Sequence, residues 1–138
     1  MAIIAGQGLL LKLPFADGGE ANYQRTFLVA QLEGNTVRLL NVSSVSGKEH
    51  KLLFPSNKNI NYYHPPFMRP SFVKLDALYI LEYFQLLDTK ILANGETIDP
   101  IELTNLVTAF NTYRATRNIH TANYDNGIVL QYNNDLSR

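Results

Sequence analysis

The sequence contains no cysteine, no excess of either charge and no long hydrophobic run. Without cysteine, disulfide scaffolds, thiolate zinc sites, iron–sulfur clusters and thiol catalysis are excluded, and a reducing compartment is favoured. Twelve basic and twelve acidic residues cancel, which argues against a strongly basic nucleic-acid-binding protein. No window reaches the roughly 18 apolar residues that a membrane span needs. We therefore expect a cytoplasmic protein with no membrane segment.

The 138 residues fit one folded domain. An apolar share of 46% is enough for one core, and a charged share of 17% is too low for a disordered chain. Residues 1–12 contain a short apolar run that has no basic region before it and is interrupted by Lys12. This pattern does not predict a secretory signal.

Short apolar runs separated by Gly, Pro, Asn and Ser predict a mainly β unit over residues 8–83. The expected strands are residues 9–15, 26–32, 36–43, 50–54 and 72–83. The sequence Glu33-Gly34-Asn35 predicts a hairpin turn between the second and third strands. Residues 75–87 also fit a helix, and that alternative would give an α+β fold.

The later part of the chain changes to helical spacing. Asp99 can cap a helix, Pro100 suits its first position, and Glu102 completes a capping box, which together predict a helix over residues 99–117. We therefore expect one domain over residues 1–117. The polar residues 118–138 predict either a turn followed by a strand or a tail that a partner orders.

No motif predicts a metal ion or a cofactor. The three histidines, His50, His64 and His120, lack the spacing of a zinc site. Asp17-Gly18-Gly19-Glu20 lacks the ending of a phosphate-binding P-loop, and no nucleophile-elbow motif is found in the sequence.

A loop and two strands near the start of the chain carry the most specific pattern. A strand runs into Gly18-Gly19-Glu20, and Arg25 then opens the next strand. This segment resembles the MazF/PemK family of toxin endoribonucleases, in which a glycine, a glutamate and an arginine have the same spacing. Ser43 or Ser44 resembles the family's threonine at the end of the third strand. The resemblance covers residues 8–117 and indicates a diverged member, since Thr26 stands where the family has proline.

The resemblance implies a fold and a function. The fold is a small, partly open SH3-like β-barrel with a C-terminal helix, of the MazF/PemK/CcdB type. The function is metal-independent cleavage of single-stranded RNA in a toxin–antitoxin pair, with a homodimer that binds RNA and an antitoxin protein. The 2′-hydroxyl of the RNA attacks the neighbouring phosphate and leaves a 2′,3′-cyclic phosphate. Arg25 would stabilise the phosphate, with Ser43 or Ser44 assisting and the loop of Gly18, Gly19 and Glu20 over the site.

Other site residues are suggested by their own chemistry. Glu20 and His64 are the two candidates for the general base. Cationic, aromatic and amide side chains can bind phosphates and stack on unpaired bases. On that ground the candidate RNA-binding residues are Lys12, Lys58, Asn59, Tyr62, Tyr63 and Arg69.

Asp76 lies within an apolar run, where a buried carboxylate needs a partner. We expect a structural ion pair between Asp76 and Arg25 or Arg69. The alternative to the ribonuclease is a non-catalytic module with the same barrel that binds a protein or a nucleic acid. In the enzyme, Arg25 and a Ser43 or Ser44 hydroxyl must converge on one phosphate, whereas the binding module does not require this.

Overall fold

Over residues 2–20, 22–61 and 65–137, which the computed structural model describes, the protein folds into a seven-stranded sheet with two α-helices. The strands are β1 (Gly8–Leu11), β2 (Arg25–Glu33), β3 (Thr36–Ser44), β4 (Asn57–Asn59), β5 (Ser71–Lys74), β6 (Ala77–Glu82) and β7 (His120–Tyr124). The helices are α1 (Pro100–Thr116) and α2 (Asn126–Tyr132). The predicted mainly β domain with a helix after it is confirmed.

The sheet runs in the order β1, β2, β3, β5, β4, and each neighbouring pair is antiparallel. β6 also pairs with β3, and β7 lies parallel to β6. Within the described residues β1 and β4 end this path and do not pair with each other, so the sheet is not closed. α1 lies in the long connection between β6 and β7, as parallel neighbours require.

The expected long strand over residues 72–83 is divided into β5 and β6 by Leu75 and Asp76. Both parts pair with β3, but in different registers. Val42 of β3 pairs with Val73, and Leu39 pairs with Tyr79, so fewer residues separate the two positions on β3 than on the partner segment. The extra residues form an irregularity like a bulge, a feature that often redirects side chains beside functional sites. The alternative helix over residues 75–87 is wrong, because residues 77–82 are a strand.

The two faces of the sheet carry separate apolar cores, because successive side chains point to opposite faces. The first face is covered by α2 and by residues 85–90, and its core includes Leu9, Phe27, Leu39, Tyr79 and Leu81. The second face is covered by α1, and its core includes Leu28, Leu40, Val73, Leu106 and Phe110. Towards the end of β3, Asn41 and Ser43 replace apolar residues on the first face, so this end of the face is polar.

Two predicted strands have other structures. Residues 49–53 form a short 3₁₀ helix, and Leu53 is 85% exposed there. Its apolar side chains are therefore not held by the alternating burial that stabilises a strand. Residues 126–132, where a turn and a strand were one alternative, form α2, which Asp125 caps by accepting a hydrogen bond from the Ile128 N–H.

Residues 118–137 are integrated into the fold. β7 extends the sheet beside β6. After α2, the Asn133 side chain accepts a hydrogen bond from the Lys12 N–H at 2.9 Å and donates one to the Lys12 carbonyl at 2.8 Å. This part of the chain is therefore ordered by the domain itself and does not need a partner to order it.

The start of α1 follows the sequence pattern in part. Asp99 accepts hydrogen bonds from the N–H groups of Ile101 and Glu102, and Pro100 occupies the first turn. The Glu102 carboxylate, however, is buried and accepts a hydrogen bond from the Asn61 N–H at 2.6 Å. Glu102 thus connects α1 to the segment after β4.

Replacing Asp99 with alanine should lower the free energy of unfolding by about 1 kcal/mol, because two N–H groups of the first helical turn lose their acceptor. Asp99→Asn should retain most of the stability, since an amide oxygen also accepts hydrogen bonds. Urea unfolding of the two variants and the wild type measures both effects. Equal stability of Asp99→Ala and the wild type would show that this cap contributes nothing.

Candidate functional site

Arg25 is the first residue of β2 and points into the first face of the sheet. Its guanidinium carbon lies 3.9 Å from the centre of the Phe15 ring and also faces the rings of Phe27 and Tyr79. Nη2 donates to the Leu13 carbonyl at 2.9 Å, and Nη1 donates to the Tyr79 hydroxyl at 3.1 Å. Only 6% of the residue is exposed. Arg25 therefore binds the protein's own groups and does not present a free guanidinium to solvent.

Tyr79 connects Arg25 to the loop that follows β1. Its hydroxyl also accepts a hydrogen bond from the Ala16 N–H at 3.3 Å. The loop folds back on itself, with the Gly18 N–H donating to the Phe15 carbonyl. Gly18 has a φ of +98°, a conformation that glycine adopts without steric cost. Arg25 and Tyr79 thus fasten the base of this loop to the sheet.

Three lysines gather at the polar end of the first face. The Lys48 Nζ donates to the Ser43 hydroxyl at 3.2 Å. Lys74 lies on β5 opposite Asn57, and the Asn57 side chain donates to the Lys51 carbonyl at 2.9 Å. We call Lys48, Lys51 and Lys74 the basic cluster.

Lys74 is in a strongly cationic environment. Burial lowers its pKa, and the neighbouring ammonium of Lys51 lowers it further. Of the four charged groups that act on Lys74, three are cations, namely Lys51, Arg25 and Lys48, and one is the carboxylate of Asp76. Such a concentration of positive charge attracts anions, because a bound phosphate relieves the repulsion between the cations.

The basic cluster has no ion pair within the described part of the chain. There, ion pairs connect Arg38 with Glu33 and Lys90 with Asp135. The three ammonium groups are thus available to an external anion, apart from the Lys48 hydrogen bond to a serine hydroxyl.

The lowered pKa of Lys74 predicts that anion binding depends on pH. Lys74 loses its proton as the pH rises through this pKa, which lies below the ordinary value of 10.5. A bound phosphate favours the ammonium form, so the affinity for a dinucleotide should fall over this pH interval. The unfolded chain holds the same proton more tightly, so the free energy of unfolding should rise with pH in the interval.

Isothermal titration calorimetry from neutral to alkaline pH, paired with urea unfolding, measures both trends. Lys74→Arg is the matched control, because a guanidinium keeps its proton throughout. A dinucleotide affinity that falls equally with pH in this variant would contradict the assignment to Lys74.

A cleft of about 220 Å³ opens where β5 gives way to β6. The Phe15 and Tyr79 rings are part of its wall, and its polar lining residues are Asn41, Lys74, Asp76, His120 and Asp17. The His120 N–H donates to the Asp76 carbonyl at 2.9 Å, which fastens the start of β7 to this edge. A cation that can bind phosphate therefore shares one cleft with an imidazole and two carboxylates, the groups most used for proton transfer.

The two predicted serines lie on different faces. Ser43 shares the first face with Arg25 and is bound by Lys48. Ser44 is exposed and, with Thr26 and Arg69, lines a cavity that Ser43 also borders. Ser44 therefore does not converge with Arg25, and Ser43 meets the basic cluster.

The predicted loop and the described base candidate do not line the cleft. Residues 15–17 line the cleft, whereas Gly18, Gly19 and Glu20 do not. Glu20 is exposed. His64 lies outside the described residues, so its role as a base stays a prediction.

The candidate RNA-binding residues are distributed over both faces. Lys58 is aligned with Val73 and so faces the second face, as Arg69 does. Asn59 is aligned with Phe72 and donates to the Asn61 side chain at 3.4 Å. Lys12 is half-buried at the end of β1. Tyr62 and Tyr63 lie outside the described residues.

Asp76 lies between β5 and β6 and is exposed, so its carboxylate does not require a buried partner. The expected ion pair with Arg25 or Arg69 is not among the ion pairs of the described residues. The Arg25 guanidinium instead binds a carbonyl and a hydroxyl. Asp76 acts on Lys74, whose ammonium form it favours.

The neutral net charge of the whole chain does not reveal the basic cluster. Residues 38–74 contain six basic residues, Arg38, Lys48, Lys51, Lys58, Arg69 and Lys74, against one acidic residue, Glu49. This local imbalance is visible in the sequence. The acidic residues after position 74 conceal it in the total.

Two further observations concern the described residues alone. They contain no group of three or more histidine, cysteine or carboxylate side chains arranged to hold a metal ion. None of their helices has the length and hydrophobicity to span a bilayer.

Comparisons with known proteins do not assign a family. No protein-family model matches the chain, and a search of curated proteins returns no match. The cleft and the basic cluster are therefore the features of this chain that indicate a function.

Proposed function

We propose that the protein binds single-stranded RNA at the basic cluster and cleaves it in the adjoining cleft. The observation that carries this proposal is the position of Lys74, which belongs to the basic cluster and also lines the cleft with His120 and Asp76. A phosphate bound by Lys74 would lie beside groups that can accept and donate protons. Phosphate binding and proton transfer are the two requirements of RNA cleavage by the 2′-hydroxyl.

The proposed reaction is cleavage of the RNA backbone by its own 2′-hydroxyl, assisted by His120 and Lys74. The 2′-oxygen forms a bond to phosphorus and the bond from phosphorus to the 5′-oxygen breaks, which gives a 2′,3′-cyclic phosphate and a 5′-hydroxyl. His120 accepts the proton of the 2′-hydroxyl, and an acid in the cleft or water protonates the leaving oxygen. Lys74 stabilises the negative charge that develops on the phosphate oxygens. The nucleophile belongs to the RNA, so the reaction needs no metal.

Arg25 has a different role in this proposal from the one that the family resemblance implies. It is a positioning residue, because its terminal nitrogens bind the Leu13 carbonyl and the Tyr79 hydroxyl. Its hydrogen bond to Tyr79 supports the wall of the cleft, and its charge contributes to the lowered pKa of Lys74. Ser43 would assist by holding Lys48 near the phosphate.

A second candidate function is binding without cleavage, by a module of SH3-like barrel type. The burial of Arg25 favours it, since the one arginine that the resemblance assigns to the phosphate is bound inside the protein. The basic cluster would then hold a phosphate backbone, and the cleft would hold a base or a sugar.

The test is a cleavage assay with EDTA on a mixed pool of single-stranded RNA, with the product ends mapped. The wild type should leave discrete 2′,3′-cyclic ends, and Lys74→Ala should cleave at least about tenfold more slowly, because one charge on the phosphate is lost. Arg114→Ala, on an exposed part of α1 away from the cleft, is the control and should cleave at the wild-type rate.

Binding of a 2′-O-methyl oligonucleotide, which cannot be cleaved, separates the two candidates. Binding that is weakened by Lys74→Ala, without cleavage of any RNA by the wild type, would favour the binding module. Absence of both binding and cleavage in the folded protein would overturn both candidates.

The biological setting is part of the proposal. A diverged MazF/PemK-like toxin would act as a homodimer in the cytoplasm, where messages are translated, and an antitoxin protein would restrain it. These statements follow from the resemblance of residues 8–117, and a size measurement in solution together with expression in growing cells would test them.

A further inference from the structure

A second basic groove lies on the other side of β4 from the basic cluster. This groove, of about 340 Å³, runs between β4 and the end of α1, and we call it the β4–α1 groove. Its lining includes Lys58, Arg117, Tyr113, Thr112, Thr116 and Asn57, and none of the described residues that line it carries a carboxylate. The groove thus combines two cations with hydroxyl groups that can donate hydrogen bonds.

The floor and one wall of this groove suit a planar ligand. Leu75 and Ala109 contribute apolar surface. The Arg117 guanidinium carbon lies 4.9 Å from the centre of the Tyr113 ring, so the cation packs on the aromatic side chain. Arg117 is exposed, which leaves its guanidinium accessible to a base. Stacking on an arginine supported by an aromatic ring is a mode by which proteins bind unpaired bases.

The groove and the basic cluster adjoin across one short edge strand. β4 carries Asn57 towards the first face, opposite Lys74, and Lys58 towards the second face, opposite Val73. Asn57 also donates to the Lys51 carbonyl of the basic cluster. Positive charge therefore continues from one face of the sheet to the other around the edge of β4.

We propose that a single RNA strand bound at the basic cluster continues over the edge of β4 into the β4–α1 groove. Lys58 binds a phosphate there, and Arg117 stacks on a base. The inference rests on the proposed function, since it extends the same RNA beyond the cleft. It predicts that the protein needs an RNA longer than the cleft alone can hold to reach its full affinity.

The test compares two 2′-O-methyl oligouridylates, of about 4 and about 16 nucleotides, which bracket the site sizes of single-strand-binding folds. Arg117→Ala should weaken binding of the longer oligonucleotide about 5- to 150-fold, the range expected for loss of one stacked base. Lys58→Ala should reduce the slope of log affinity against log salt by about 0.7, as for one lost phosphate contact. Neither change should affect the shorter oligonucleotide bound at the basic cluster.

Arg114→Ala is the matched control, because Arg114 is also a cation near the end of α1 but packs on Phe110 and does not line the groove. Unchanged affinity of Arg117→Ala and Lys58→Ala for the longer oligonucleotide would overturn the extension, as would equal weakening of both lengths. Lys74→Ala should weaken both lengths whether or not the extension is correct. Failure of the wild type to bind either length would overturn the proposed function and the extension together.

Discussion

Replacing Arg25 with alanine should lower the free energy of unfolding by about 3 kcal/mol. The change removes a side chain that is enclosed by Phe15, Phe27 and Tyr79, and cavities of this size are costly. It also removes the arginine donor from the buried carbonyl of Leu13 and one of the two donors to the hydroxyl of Tyr79, and an unsatisfied buried group costs about 1–3 kcal/mol. Relief of the arginine's own desolvation offsets part of this loss. Urea unfolding measures the difference.

Arg25→Met separates packing from charge. Methionine fills much of the same volume, so this variant should be more stable than Arg25→Ala. It should also raise the pKa of Lys74, because one of the neighbouring cations is removed. NMR titration of the Lys74 side chain measures that change. If Arg25→Ala unfolds at the same urea concentration as the wild type, Arg25 is not a structural residue and a direct phosphate contact becomes the better explanation.

Replacing His120 with alanine should slow RNA cleavage about 10²- to 10⁴-fold, the usual contribution of a positioned proton-transfer group. The affinity for a 2′-O-methyl oligonucleotide should stay unchanged, because the lysines of the basic cluster supply the phosphate contacts. A single-turnover cleavage assay gives the rate, and fluorescence anisotropy gives the affinity.

His50→Ala is the matched control for His120. His50 is exposed in the 3₁₀ segment, where its ring packs against Phe54 and not in the cleft. It should cleave RNA at the wild-type rate. Cleavage by His120→Ala at the wild-type rate would contradict the role of His120. It would indicate that Asp76 or another group accepts the proton.

Local sequence patterns predicted the parts of the fold that depend on neighbouring residues. The turn at Gly34, the two strands that flank it and the cap at Asp99 each depend on a few neighbouring positions, and each is confirmed. The break at Leu75 and Asp76 was not predicted, because it depends on how β3 is shared between β5 and β6. The parallel pairing of β7 joins residues distant in sequence, so no local pattern indicates it.

The site was predictable to a smaller extent for the same reason. The spacing of Gly18, Glu20 and Arg25 directed attention to the end of the sheet where the cleft lies, but it did not indicate that Arg25 is buried against Tyr79, a residue on another strand. Ser43 and Ser44 are adjacent in sequence, and only the register of β3 decides that they face opposite sides. His120 lines the cleft with Lys74 only because β7, which follows α1, pairs with β6, so the sequence could not associate them.

The parallel pairing of β6 with β7 has a consequence during synthesis. β6 leaves the ribosome roughly 40 residues before its partner strand, which corresponds to about 2–8 seconds at ordinary rates of translation. During that interval one edge of an apolar strand remains unpaired and can associate with other nascent chains. The same delay keeps His120 out of the cleft, so under the proposed function a growing chain that already carries the lysines of the basic cluster would hold RNA before it could cut it.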